Sequence, residues 1–122
     1  MKLASLFNRK QAGDAAERVA EQYLVKQGMT LLERNYRIRQ GEIDLVMRDG
    51  ATLVFVEVRM RKDARFGGAA ASIGHRKQQR LIAAAQHYLA GKSPLPPCRF
   101  DAVLLNQPDP EHVEWIKDAF GA

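Results

Sequence analysis

A chain of 122 residues has room for one compact domain, and its composition, 46% hydrophobic and 27% charged, excludes collagen, coiled coil and wholesale disorder. The formal net charge is +5, which points toward phosphate polymers, anionic membranes or acidic proteins as partners. No apolar stretch approaches the roughly 20 residues needed to span a bilayer, so no membrane partner is expected.

The apolar segment Leu3 to Phe7 is too short for a secretory signal, and Cys98 is the single cysteine, so a cytoplasmic location is expected. Residues 1–11 are expected to form a flexible arm. Asp14 reads as the N-cap of a first helix running to Gln27 and closed by Gly28, with Ala16, Ala20, Tyr23, Leu24 and the Gln27 stem on one face. Met29 to Tyr36 reads as an edge strand, and Glu42 to Arg48 as the next strand. Asp49-Gly50 is a hairpin turn signal, after which Ala51 to Arg61 returns as a strand buried on both faces. Lys62 to Ser72 is a loop, and residues 73–90 form a second helix with Leu81, Ala84, Ala85 and Tyr88 inward. Residues 91–97 are another loop within the same domain. Cys98 to Leu105 and Val113 to Ile116 complete the strands, followed by a turn at residues 118–120. The order αβββαββ predicts an α/β fold, a mixed sheet flanked by helices.

With Asp49 and Gly50 as the two turn residues, Asp44 faces Phe55 and Glu42 faces Glu57. Period-two alternation then puts Glu42, Asp44, Glu57, Arg59 and Arg61 on one face. Asp44 and Glu57 become diagonal neighbours about 7 to 8 Å apart at the backbone, close enough to share a divalent cation. Clustered carboxylates need positive charge among them, which a metal ion or cross-strand arginines can supply. Glu17 borders the apolar stripe of the first helix, while Lys77 and Gln78 intrude on the buried face of the second. Two helices thus turn polar groups toward the paired acids.

Basic charge is concentrated: residues 34–80 hold eleven Lys/Arg against five Asp/Glu. Arg34, Arg37, Arg39, Arg61, Lys62, Arg65, Arg76 and Arg80 are the candidate phosphate contacts. Only Tyr36 and Phe66 are aromatic within the basic loops, which favours duplex or branched DNA over single strands read by stacking, with RNA also admissible. Gly91-Lys92-Ser93 lacks the upstream glycine of a phosphate-binding loop, and His75, His87 and His112 have no zinc-ligand spacing. Cys98 and Trp115 read as packing residues.

Gly-Glu-Ile-Asp at 41–44, Phe-Val-Glu-Val-Arg at 55–59, Glu17 upstream and Arg99-Phe100-Asp101 downstream give the chain a resemblance to the YraN-like bacterial family over residues 12–120. Those small proteins of unassigned activity are similar to Holliday-junction resolvases and other PD-(D/E)XK nucleases. The resemblance implies a single restriction-endonuclease-like domain over 1–122 and metal-dependent phosphodiester hydrolysis with Mg²⁺ or Mn²⁺. It implies Asp44 and Glu57 as metal ligands, with the Val58 carbonyl as a third donor and Glu17 completing the set. Arg59 stands where the superfamily usually has lysine; arginine can grip phosphate but cannot accept a proton, so Lys77 is the candidate replacement. A homodimer is a further expectation. The alternatives are a non-catalytic nucleic-acid-binding protein and a protein-interaction adaptor with an acidic partner.

Overall fold

The computed structural model describes the backbone of residues 2–60, 73–106 and 110–121, with side chains for 13–60, 73–106 and 111–121. Helix α1 runs from Lys2 to Lys26, so Asp14 lies inside it instead of capping it. Residues 2–12 contain Leu, Ala, Lys, Arg and Gln and no proline, a composition that extends a helix readily. Its C-terminus does close at Gly28, whose φ of 99° is costly for any residue with a Cβ. The Gly28 amide donates to Val25 and the Met29 amide to Leu24, the paired bonds of a Schellman motif. Ala16, Ala20 and Leu24 are buried, whereas Gln27 is exposed.

The strands are β1 (Thr30–Ile38), β2 (Gly41–Asp49), β3 (Thr52–Met60), β4 (Cys98–Leu105) and β5 (Val113–Phe120), and α2 spans His75–Leu89. They form one sheet in the order β1-β2-β3-β4-β5, antiparallel except for the parallel β3–β4 pair, which α2 connects. The element order αβββαββ is the one expected, and α1 and α2 cover opposite faces. On the α1 side, Ala16, Ala20 and Leu24 pack with Leu45, Met47, Val54, Val56, Val103 and Leu105. On the α2 side, Leu81, Ala84 and Ala85 pack with Ile43, Val46, Phe55, Phe100 and Ala102. Central β3 is buried from Leu53 through Glu57, as its unbroken apolar run requires. No helix among the described residues is long and apolar enough to cross a membrane.

Three local expectations change. Asp49 stays in the ladder opposite Thr52, so Gly50 and Ala51 make the turn, with positive φ at Gly50 and not at Ala51. A turn of that kind needs glycine only at its first central position, whereas Asp49-Gly50 as the turn would need left-handed geometry at both. Strand β5 continues to Phe120 because the buried Asp101 carboxylate accepts the Asp118 amide at 2.9 Å and holds Asp118 at φ 53°, while Phe120 stacks on Phe100. Asp101 also accepts from Arg99 and from the Trp115 indole, which packs edge-on against Tyr23. Cys98 is exposed, since it opens β4 before the covered part of the sheet begins.

One close approach fixes α2 on the sheet. A Cβ at Gly41 would lie 1.9 Å from the Arg80 carbonyl oxygen, so the first residue of β2 touches helix backbone directly. Gly41→Ala is expected to cost about 1 to 3 kcal/mol in urea denaturation, because backbone must move to admit the methyl; unchanged stability would contradict the contact.

Candidate active site

The sheet opens where β2 and β3 part. Their ladder ends at Leu45 opposite Val56, and one step further Asp44 would stand directly opposite Glu57. The two-residue change in register thus aligns Asp44 with Glu57 instead of leaving them diagonal, just beyond the last paired residues. Instead of continuing the ladder, Asp44 turns its Oδ2 to accept the Val58 amide at 2.8 Å. A carboxylate replaces the backbone acceptor that the diverging strand has lost.

Alternation also breaks at this point. Ile43 packs into the α2-side core and Leu45 into the α1-side core, although they are two positions apart and regular alternation would put them on one face. The neighbouring strand switches in step, since Arg34 bonds Glu21 of α1 while Tyr36 packs against Tyr88 of α2. Asn35 and Asp44 are the opposed pair that the β1–β2 ladder skips, and Asn35 takes a left-handed φ of 51°. This shared kink leaves Asp44 able to address both faces of the sheet.

Both faces answer with acids. Glu57 is 3% exposed, and burial pushes its carboxyl well above the usual range, reinforced by its hydrogen bond with Asp44 and by the Asp44 charge. Lys77 and Arg59 pull the other way. Lys77 does not restore an ordinary value: its Nζ is 3.5 Å from Glu57 and is shared with Glu42 at 3.4 Å. Glu17 approaches from α1 and is pushed up to about 7 by burial, then by Asp44 and Asp14, against an Asn35 hydrogen bond and the Arg37 charge. Asp44 thus couples electrostatically to both Glu17 and Glu57. Among the described residues, no three His, Cys, Asp or Glu side chains converge closely enough to hold a metal ion together.

A cleft of about 370 Å³ opens beside the pair, lined by Asp44, Glu57, Val58, Arg59, Met60 and Lys77. Gln78 does not join it, because its amide donates to the Ile73 carbonyl at the start of α2. Glu17 lines a separate cleft of about 490 Å³ with Asp14, Arg18, Glu21 and Arg34.

The basic residues divide. Arg34 is held by Glu21 through two bonds of 2.7 and 2.9 Å on the α1 side, so it does not belong to the Lys77 side of the sheet. Arg37 pairs with Glu42 at 3.5 Å but remains 70% exposed, and Arg39, Arg76 and Arg80 are exposed too. Arg76 and Arg80 share one face of α2, and the Gly41 contact draws the β1–β2 turn, which follows Arg37 and includes Arg39, against Arg80. Arg61, Lys62 and Arg65, with Phe66 and the loop expected at Lys62 to Ser72, lie outside the described residues. Tyr36 packs against Tyr88 and hydrogen-bonds His87. Residue reading missed Glu42 as the partner of Lys77, and Asn35 as the partner of Glu17. The tolerance of asparagine for positive φ was the available sign of the second.

Residues 16–105 match the model of the uncharacterised protein family UPF0102, which covers Glu17, Asp44, Glu57 and Lys77. A UPF0102 protein of Methylobacillus flagellatus is 60% identical over 113 residues, covering 93% of this chain and 99% of the relative. The chain belongs to UPF0102. A UPF0102 protein of Nitrosomonas europaea is 58% identical over 108 residues (88% of this chain, 92% of the relative), and one of Saccharophagus degradans 52% over 117 residues (94% and 97%). The family carries the YraN-like resemblance, and its description assigns no activity.

The elevated Glu57 carboxyl makes a prediction about stability in this UPF0102 protein. Above the ordinary carboxylate range the unfolded chain releases this proton while the folded chain retains it, so stability falls as pH rises toward the folded value. In EDTA, the parent's melting temperature is expected to drop more between pH 5 and pH 8 than that of Glu57→Gln, which keeps the bond to Asp44 without a titrating group. Parallel pH profiles would contradict the shift.

Proposed function

We propose that this UPF0102 protein is a metal-dependent endonuclease-like protein that hydrolyses phosphodiester bonds in structured or duplex DNA. The observation that carries the reading is the adjacent Asp44 and Glu57 in an open cleft with Lys77 and Arg59, on a protein whose Arg37, Arg39, Arg76 and Arg80 are exposed.

The donor chemistry fits Mg²⁺ or Mn²⁺. The available ligands are carboxylate oxygens, which hard divalent cations prefer, and Asp44 and Glu57 sit near enough to hydrogen-bond. They are the residues that would hold the ion, and Glu17, whose charge couples to Asp44, is the third acid the proposal includes. When bound, such an ion neutralises charge on a phosphodiester and lowers the pKa of water.

The chain's own groups do the rest. The Val58 amide holds Asp44 in orientation. Arg59 supplies a forked donor for phosphate oxygens and keeps its proton throughout. Lys77 presents a compact ammonium at the same cleft, and the exposed arginines hold the polymer without reading its sequence. A cytoplasmic site of action and pairing of two copies on DNA belong to the same proposal.

A second reading draws on one observation: the two acids already have partners, Asp44 in the Val58 amide and Glu57 in Lys77. On that reading the scaffold binds nucleic acid without cutting it. The assay uses branched and linear DNA with Mg²⁺ or Mn²⁺, comparing the parent with Asp44→Asn, whose amide oxygen can still accept the Val58 amide. Cleavage that falls at least about 100-fold in Asp44→Asn, with folding retained, is expected. Salt-sensitive binding without cleavage, losing about one unit of salt slope in Arg80→Ala, would favour the second reading. Metal-independent cutting that survives Asp44→Asn would contradict the first.

A further inference from the structure

Lys77 is held by two acids, and only one of them belongs to the carboxylate pair. Its Nζ lies 3.4 Å from Glu42 Oε1 and 3.5 Å from Glu57 Oε2. The other Glu42 oxygen takes the Arg37 guanidinium at 3.5 Å. Arg37, Glu42, Lys77 and Glu57 therefore form a chain of alternating charge leading from the β1 edge into the cleft. Side-chain exposure falls along it from 70% through 34% and 27% to 4%. Glu42 owes its place to the β1–β2 ladder, where it stands opposite Arg37, and Lys77 owes its place to α2, which Gly41 seats against the sheet one residue before Glu42.

A divalent cation held by Asp44 and Glu57 would repel an ammonium only 3.5 Å from Glu57. Lysine has a flexible four-carbon stem, so with no other anion in reach it would swing into solvent. Glu42 supplies that other anion at nearly the same distance, outside the Asp44–Glu57 contact.

We infer that Glu42 is a positioning residue that keeps the Lys77 ammonium at the mouth of the cleft, within reach of a phosphate, when Asp44 and Glu57 hold a divalent cation. The inference rests on the metal-assisted reading of the same cleft. It gives Glu42 a role that neither the Asp44–Glu57 pair nor Arg59 can fill, since the pair loses its hold on Lys77 as the cation enters.

The test is the acetylation rate of Lys77 in the full chain, followed by mass spectrometry with and without Mg²⁺, with Mg²⁺ binding measured in parallel by calorimetry. Lys26, Lys92 and Lys117 serve as internal references. With Mg²⁺, Lys77 of Glu42→Gln is expected to react about three- to five-fold faster than Lys77 of the parent, the size of an exposed ion pair, while the references stay level. Glu42→Asp, which keeps the charge on a shorter stem, is expected to fall between them. Should Glu42→Gln fail to fold, the comparison of Glu42→Asp with the parent decides with the same sign. Mg²⁺ binding with equal Lys77 rates in parent and variants would overturn the role of Glu42 and leave the metal reading standing. Absence of Mg²⁺ binding in the parent would overturn the metal reading and this inference with it.

Discussion

The hydrogen bond from the Val58 amide to Asp44 organises the end of this sheet where β2 and β3 part. It forms where β2 and β3 separate, and it supplies an acceptor for a backbone donor that the ladder no longer serves. Asp44 is thereby oriented by main chain as well as by its contact with Glu57. The kink it shares with Asn35 lets one carboxylate influence Glu17 on one side and Glu57 on the other. Straightening the two strands would return Ile43 and Leu45 to one face and mix the two cores. The packing of α1 and α2 against opposite faces therefore holds the irregularity in place.

Charge sets the chemical character of the cleft. Glu57 in the cleft and Glu17 in the separate one beside α1, both raised above the ordinary carboxylate range, are poorly compensated, since Lys77 is shared between Glu42 and Glu57. Burial alone penalises their ionised forms, and the neighbouring Asp44 charge adds to it. Hard oxygen donors whose ionisation burial disfavours would ionise on binding a divalent cation, since ligand carboxyls must lose their protons to bind. The Arg99–Asp101 arrangement shows the opposite solution. There the fully buried Asp101 receives a guanidinium, an indole and a backbone amide, and its role is to hold β5 against β4.

Elements specified by local pattern were legible from residues alone. The α2 stripe, the Gly28 helix stop, the doubly buried β3 and the limits of β4 all depend on neighbours in sequence. The kink at Asp44 was not legible, because it depends on two strands changing face together. The end of β5 depends on Asp101, seventeen residues before Asp118. The hairpin turn slipped by one position on each strand, yet its parity survived, so the association of Asp44 with Glu57 was anticipated although their diagonal placement was not. Arg34 was grouped with phosphate contacts by its charge, and only the packing of α1 reveals Glu21 as its partner. The YraN-like resemblance, carried by short motifs around Asp44 and Glu57, agrees with the UPF0102 match over residues 16–105.

The central claim is that Asp44 and Glu57 together hold a divalent cation. Its most direct measure is a calorimetric titration of the protein with Mn²⁺, which needs no knowledge of the nucleic-acid substrate. One equivalent is expected to bind to the parent, with affinity at least about tenfold weaker in Glu57→Ala and in Asp44→Asn than in the parent. Equal Mn²⁺ affinity in the parent and both variants, all folded, would contradict the account.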